Sequence, residues 1–218
     1  EQRYGDLSGA GSGASSLGIL TLAAVVRAGG RRVSVLDASA ENLSFQQALN
    51  RVEALGPRIV GLSITTLSVL PAQQFAKELK DRRSDLTVLI GGPHATAVPE
   101  QTLQSGNHFD VAVIGEGEQT LPDLLGVLID GGDLSKVRGI VYRDSQGKII
   151  RTENRETIVD LDSLPFPAWD LLSGFPQAYN PPYFKVRRLP STSLVTSRGC
   201  PYTCIFCDTS VFGDRVRG

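Results

Sequence analysis

Apolar residues along the first 132 positions follow two different spacings. Short continuous apolar runs indicate buried strands, and apolar residues that recur every three or four positions indicate amphipathic helices. The predicted strands are residues 33–37, 59–63, 86–90 and 109–114. The predicted helices are residues 17–28, 45–55, 71–83, 99–105 and 120–129. Because strands and helices alternate, we predict an α/β domain with a flavodoxin-like or Rossmann-like, doubly wound parallel sheet.

The order of these elements is unusual, because no strand precedes the first helix. In the flavodoxin-like strand order 2-1-3-4-5, the first strand lies inside the sheet. We therefore expect a strand from an upstream segment to lie between residues 33–37 and 59–63. Residues 1–16 are rich in Gly and Ser, which predicts a flexible leader. The sequence contains no methionine, and we interpret it as a piece of a longer protein, cut at both ends.

The pattern changes after residue 132. Apolar runs at 138–142 and 148–151 flank a turn-forming segment, which predicts a β-hairpin. Prolines between residues 160 and 190 predict an extended connector that is anchored by Phe166, Trp169 and Phe175. We divide the chain into a first domain at 1–132, a hairpin and proline-rich linker at 133–190, and the start of a further domain at 191–218.

Composition excludes several classes of protein. The chain has 218 residues, of which 41% are hydrophobic, and a formal net charge of −1. This charge gives no electrostatic basis for binding nucleic acid. No apolar run approaches the length of a membrane span, and no signal peptide opens the chain. We therefore expect a cytoplasmic protein with no membrane or nucleic-acid partner.

All three cysteines, Cys200, Cys204 and Cys207, lie on one short segment. A 4Fe–4S cluster normally takes four cysteine ligands, so three thiolates would leave one iron open to a substrate or cofactor. A disulfide framework needs an even number of cysteines and an oxidising compartment. A structural zinc site needs a fourth ligand, and His94 and His108 lie far upstream. Zinc and a chance spacing are the alternatives.

The spacing Cys-x3-Cys-x2-Cys, with the aromatic Phe206 before the last cysteine, resembles the cluster-binding loop of the radical S-adenosylmethionine superfamily. The Arg198-Gly199-Cys200-Pro201 run and residues 213–217 extend this resemblance, which covers only the end of the chain. It implies that the three cysteines bind a 4Fe–4S cluster and that Phe206 contacts S-adenosylmethionine. It also implies that residues 191–196 form the first strand of an α/β barrel, most of which lies beyond residue 218.

Glycine, acidic and hydroxyl residues follow the predicted strands. Four segments, 37–39, 63–66, 91–94 and 115–118, would lie at the carboxyl ends of the strands, where open parallel sheets bind ligands. Glycines let a bulky ligand approach the backbone, and hydroxyls supply hydrogen bonds. Any one segment alone is also typical of an ordinary turn.

Together these segments resemble the cobalamin-binding domain that precedes many radical S-adenosylmethionine domains, over residues 15–132. The resemblance implies that the nucleotide tail of cobalamin enters a slot beside the sheet, and that the corrin ring lies across the strand ends. The cobalamin-contacting residues that it implies are Leu17, Gly18, Ser63, Thr65, Gly91, Gly92, Pro93, His94, Gly115, Glu116, Gly117 and Glu118.

The chain departs from the Asp-x-His-x-x-Gly pattern of cobalamin mutases, because no histidine follows Asp37. Cobalamin would therefore lack a protein histidine below cobalt, as is common in the radical branch. His94 is either a ligand contact or a loop histidine bonded to nearby groups, and His108 is predicted to lie on the surface. Glu116 and Glu118 either bond corrin amides or cap the last helix of the domain.

Two cofactors in adjacent domains imply a cobalamin-dependent radical enzyme that methylates an unactivated carbon or phosphorus centre. The implied partners are a small-molecule substrate and an electron donor such as flavodoxin or ferredoxin. One alternative is a radical enzyme that cyclises or rearranges its substrate. Others are a docking domain that binds no cobalamin, and a non-enzymatic cobalamin carrier or zinc module. The methylthiotransferases of tRNA match poorly, because their first domain brings three further cysteines.

Overall fold

The structure, a computed structural model, describes residues 15–179, 186–202, 204–207 and 216–218. Its α-helices are α1 (Leu17–Ala28), α2 (Phe45–Leu55), α3 (Val69–Arg82), α4 (Pro93–Ala97), α5 (Pro99–Gln104) and α6 (Gly117–Asp130). Its strands are β1 (Ile59–Ser63), β2 (Thr87–Gly91), β3 (Val111–Val113), β4 (Ile140–Arg143) and β5 (Ile149–Arg151). Residues 1–14 of the predicted leader and the motif residues 213–215 lie outside the described residues. No described helix is long and apolar enough to cross a bilayer.

The strands form one sheet in the order β1-β2-β3-β4-β5. The first three are parallel, with Ile59 beside Thr87 and Leu89 beside Val111. The predicted α/β fold with a mainly parallel sheet is therefore confirmed. The predicted hairpin is present as β4 and β5, and it continues the same sheet because β4 pairs antiparallel with β3.

Helices cover both faces of the sheet because the strand residues alternate in direction. Val88 and Ile90 of β2 join a core with Leu49 of α2 and Ala76 of α3. Leu89, between them, joins the opposite core with Leu124 of α6 and with residues of β3 and β4. Helix α1 packs beside α6 on this second face.

The capping residues define the ends of α2. The Ser44 hydroxyl accepts a hydrogen bond from the backbone N–H of Gln47, and the Gln47 side chain accepts one from the backbone N–H of Ser44. This reciprocal pair satisfies donors that the first helical turn leaves unpaired. Gly56 ends the helix in the left-handed region, at φ +58°. The predicted helix at 45–55 is confirmed at both ends.

The predicted strand at 33–37 is wrong in this structure. The segment has no regular secondary structure and joins no ladder among the described residues. Its side chains still alternate, since Val33 and Val35 pack toward α1 while Leu36 packs toward the core with α2 and α3. A cavity of about 1640 Å³ runs between this segment and β1. A strand needs a hydrogen-bonded neighbour, and β1 lies across that cavity.

The linker wraps around α1. The backbone N–H of Ala168 donates to the carbonyl of Leu20 at 3.1 Å, and the rings of Trp169 and Phe175 stack with centroids 6.3 Å apart. Phe166 does not act as the predicted anchor, because it is 77% exposed. The predicted strand at 191–196 is also wrong, since these residues are mostly exposed and unpaired.

Candidate functional site

The carboxyl ends of β1 and β2 bring two of the predicted segments together. Ser63 lies beside Gly91 in the parallel register. The backbone N–H of Ile64 donates to the Gly91 carbonyl at 2.8 Å, and the N–H of His94 donates to the Ile64 carbonyl at 3.2 Å. These bonds hold the 63–66 and 91–94 segments against each other, with Ser63 and Thr65 exposed at the sheet edge.

The two adjacent glycines at the end of β2 have different surroundings. A Cβ atom on Gly92 would lie 2.9 Å from the Ser63 hydroxyl oxygen and 3.0 Å from the Ile64 carbonyl oxygen, and Gly92 has φ +93°. A Cβ atom on Gly91 would meet no atom within 4 Å. We expected open space for a ligand at both glycines. It lies at Gly91, whereas the absence of a side chain at Gly92 allows the 63–66 segment to pack closely.

Side chains of the neighbouring loop hold Thr65 and His94. The Thr65 hydroxyl lies 3.2 Å from the Ser68 hydroxyl, and the Thr65 N–H donates to Ser68 Oγ at 2.8 Å. His94 Nδ1 lies 3.1 Å from the Thr66 hydroxyl. This geometry corresponds to the loop-bonded alternative for His94. Ser68 was missed in the sequence, where it is one more polar residue before a helix.

The third segment, residues 115–118, lies next to α1. The N–H of Gly115 donates to the hydroxyl of Thr96 at 3.0 Å. A Cβ atom on Gly117 would lie 3.0 Å from a terminal methyl of Leu22. The loop before α6 is therefore packed against the first turns of α1, where Leu17 and Gly18 lie.

One cavity connects most of the predicted site. The predicted cobalamin residues that line it are Leu17, Gly18, Ser63, Gly91, Gly92, Gly115, Glu116, Gly117 and Glu118. Thr65, Pro93 and His94 lie outside its lining. This is the cavity that also separates segment 33–36 from β1, and it is large for a ligand pocket. The strand ends line the carboxyl-end portion of this cavity, and the rest of it extends along β1 to Pro57 and Arg58.

Ion pairs occupy the two carboxylates of the 115–118 segment. Arg198 donates to Glu116 at 3.2 Å and to Glu118 at 2.6 Å, and Arg217 donates to Glu116 at 2.9 Å. The backbone N–H of Ile158 adds a fourth bond, to Glu116 at 2.7 Å. Burial alone would raise the pKa of Glu116, but hydrogen bonds from Arg217, Ile158 and Arg198 outweigh it and hold the pKa below its ordinary value.

The cysteine loop follows Arg198 directly. Cys200 is half-buried and Cys204 and Cys207 are exposed, and all three are free thiols. The N–H of Cys207 donates to the Cys204 carbonyl at 3.0 Å. Among the described residues, no three Cys, His, Asp or Glu side chains are gathered as a metal-binding group. The thiol donors suit an iron–sulfur cluster chemically, and the predicted cofactor contact, Phe206, is 89% exposed.

The residues at the sheet edge fit a bulky ligand without a histidine ligand. Backbone at Gly91 and Gly115 faces open space, and the Ser63 hydroxyl is exposed beside it. The Asp37 carboxylate accepts a bond from the N–H of Ala40 at 3.0 Å in a local turn, with no histidine in that turn. His108 precedes β3 at the opposite edge of the sheet.

A model of the B12 binding domain family matches residues 8–125 of the chain. An uncharacterised methyltransferase of Pyrococcus horikoshii is 35% identical over 203 residues, which are 93% of this chain and 42% of that protein. The anaerobic magnesium-protoporphyrin IX monomethyl ester cyclase of Rubrivivax gelatinosus is 33% identical over 190 residues, 85% of this chain and 33% of that protein. The chain thus spans less than half of either relative.

A solved structure has the same fold. The cobalamin-dependent S-adenosylmethionine radical enzyme OxsB, with aqua-cobalamin and S-adenosylmethionine bound, superposes with a TM-score of 0.76. It is 24% identical and covers 93% of this chain, which corresponds to 27% of OxsB.

Proposed function

The chain belongs to the B12-binding domain family, and from that premise we propose that it is the cobalamin-binding part of a radical S-adenosylmethionine methyltransferase. One structural observation supports the proposal most strongly. The glycine-bearing segments at the ends of β1, β2 and β3 line the carboxyl-end portion of one cavity, which continues along β1 toward its amino end. The carboxyl edge is where open parallel sheets bind cofactors.

In this proposal the chain's own residues bind and orient the cofactor. Gly91 leaves the space that the nucleotide tail needs, and the Ser63 hydroxyl beside it donates or accepts a hydrogen bond. Gly115 lets the corrin ring approach the backbone before α6, and Gly117 lets this turn pack closely against Leu22 of α1. When bound, cobalamin supplies a cobalt centre that carries and donates methyl groups.

The proposed site offers no histidine to cobalt. His94 is held by the Thr66 hydroxyl and by the Ile64 carbonyl of the neighbouring 63–66 segment. The turn after Asp37 contains none. We therefore propose that no histidine of this chain would ligate the cobalt of a bound cobalamin.

The thiols of Cys200, Cys204 and Cys207 are the proposed ligands of a 4Fe–4S cluster. Together with S-adenosylmethionine, such a cluster supplies radical chemistry. The proposal further includes a small-molecule substrate, a protein electron donor such as flavodoxin or ferredoxin, and a reducing cytoplasmic location.

Radical cyclisation is the second candidate reaction. It is supported by the 33% identity to the magnesium-protoporphyrin IX monomethyl ester cyclase. We rank methylation as the first candidate reaction because the chain is 35% identical to an uncharacterised methyltransferase.

The cobalamin proposal is tested by purifying the chain without oxygen in the presence of hydroxocobalamin. A stoichiometric visible spectrum of bound cobalamin is expected after gel filtration. The EPR spectrum of the reduced, cob(II)alamin form should lack nitrogen coupling from the protein, and His94→Ala should leave it unchanged. A chain that elutes free of cobalamin would instead support the docking-domain alternative.

A further inference from the structure

Two arginines that flank the cysteine loop form ion pairs with carboxylates that are far from them in the sequence. Arg198 precedes Cys200, and Arg217 follows Cys207. The backbones of Arg198 and Arg217 form an antiparallel bridge, with each N–H donating to the other's carbonyl at 2.8 Å. The bridge closes the base of the loop, and both guanidinium groups extend from this base to Glu116 and Glu118.

Burial distinguishes this cluster from the other ion pairs of the described residues, in each of which at least one side chain is 36% exposed or more. The side chains of Glu118, Arg217, Glu116 and Arg198 are 6%, 10%, 17% and 24% exposed. The Arg27–Asp170 pair, in contrast, is 46% and 64% exposed. Exposed pairs contribute little to stability, whereas removing one partner of a buried pair leaves an uncompensated charge and is strongly destabilising. The buried cluster therefore fixes its partners in place.

The carboxylate side of the cluster lies on the recess at the sheet edge. Glu116 lies between Gly115 and Gly117, whose backbones line the recess. Glu118 is in the first turn of α6, where a carboxylate is favoured by the helix dipole alone. The dipole accounts for an acid at this position. It does not account for the two arginines that reach it from the base of the cysteine loop.

We propose that Glu116 and Glu118 are positioning residues that hold the base of the cysteine loop on the 115–118 turn. Binding at this turn is thereby transmitted to the loop. The transmission rests on the proposed cobalamin function, but the tether itself does not. Through this tether, a ligand that orders the backbone at Gly115 also orders Arg198 and Cys200, two residues further along the chain.

The test measures amide hydrogen exchange at Arg198 and Arg217 in the full chain by NMR. Glu118→Gln keeps the shape of the side chain and removes its charge, so exchange at Arg198 should accelerate by about tenfold or more. Asp170→Asn removes an exposed ion pair and should change these rates by less than about twofold. Glu116→Gln is the second variant if Glu118→Gln does not fold, and it should accelerate exchange at Arg217.

A double-mutant cycle separates a tether from general loosening. If Glu118 acts through Arg198, then Glu118→Gln combined with Arg198→Gln should be no worse than Arg198→Gln alone, which also removes the bond from Arg198 to Glu116. Effects that add up fully would overturn the pairing. Rates at Arg198 and Arg217 that stay at the parent value in both Glu variants would overturn the tether.

Hydroxocobalamin supplies the second arm of the experiment. In the parent chain it should slow exchange at Arg198 by about fivefold or more, and in Glu118→Gln this response should disappear. If cobalamin binds and exchange at Arg198 of the parent chain does not change, the coupling is overturned. The tether is then judged from the exchange rates measured without ligand. A chain that binds no cobalamin overturns the proposed function and the coupling with it, and the ligand-free rates still decide the tether.

Discussion

At the residue scale, the glycine pair at the end of β2 separates a packing role from a binding role. A side chain at Gly92 would collide with Ser63 and with the Ile64 backbone, and its φ of +93° disfavours any side chain. A methyl group at Gly91 would enter open space. Both glycines look equivalent in the sequence, because the contacts that distinguish them come from β1.

This difference predicts that alanine destabilises the fold at Gly92 but has little effect at Gly91. Gly92→Ala should lower the free energy of unfolding by about 1–3 kcal/mol, because the backbone of the 63–66 segment must shift. Gly91→Ala should change it by less than about 0.5 kcal/mol. Urea unfolding followed by circular dichroism measures both values. Equal losses for the two variants would contradict the packing assigned to Gly92.

The depressed pKa of Glu116 predicts a dependence of stability on pH. A carboxyl group whose pKa is lower in the folded state stabilises the fold above its unfolded pKa, and this contribution is lost as pH falls through the folded pKa. The unfolded reference for Glu116 is 4.5. The charged groups around it are Arg217, Arg198 and, across Arg198, Glu118.

We therefore expect the parent chain to lose more stability below pH 4.5 than Glu116→Gln does. The measurement is the urea midpoint of both proteins at neutral pH and at successively lower pH values. Parallel curves for the two proteins through the acidic range would show that Glu116 does not titrate at a depressed pKa.

At the element scale, local periodicity was sufficient for most of the fold. Helix α2 was predicted at its observed boundaries, because the residues that cap and end it, Ser44 and Gly56, lie next to it in the sequence. The strand at 33–37 was not, because strand pairing depends on a partner that local pattern cannot supply. Likewise, the sequence predicts a hairpin at 138–151 but not that β4 joins β3. The short helix α4 was missed, since Pro93-His94-Ala95 follows glycines and has the composition of a loop.

The outer edge of β1 should exchange its amide hydrogens quickly. The N–H of Ile64 points to β2, and the N–H groups of successive residues in a strand point to opposite sides. The N–H groups of Gly61 and Ser63 therefore face the cavity.

In the present chain we expect the amide of Gly61 to exchange at least about a hundredfold faster than that of Ile90, which lies in the interior of the sheet. NMR-detected exchange measures both amides in one sample, and Val88 serves as a second interior reference. A Gly61 amide as slow as that of Ile90 would show that the edge is paired.

At the scale of the whole molecule, described contacts connect the base of the cysteine loop to the carboxyl edge of the sheet, where we propose that cobalamin binds. The linker crosses α1, where Ala168 bonds Leu20, and the base of the loop reaches the turn before α6 through Arg198. The sequence predicted both sites from their motifs. It did not predict their connection, because Arg198 and Glu118 are 80 positions apart and the pairing of two common charged residues leaves no local pattern.

The central claim is that cobalamin occupies the recess beside Gly91, and the dissociation constant for hydroxocobalamin in Gly91→Leu tests it most directly. A leucine side chain at Gly91 would fill the slot for the nucleotide tail, so the dissociation constant should rise by at least about tenfold. Gly126→Leu is the matched control, since a Cβ atom there has its nearest neighbour at 4.0 Å in the middle of α6. The account predicts that only Gly91→Leu weakens binding, and parent-like affinity in a folded Gly91→Leu chain would contradict it.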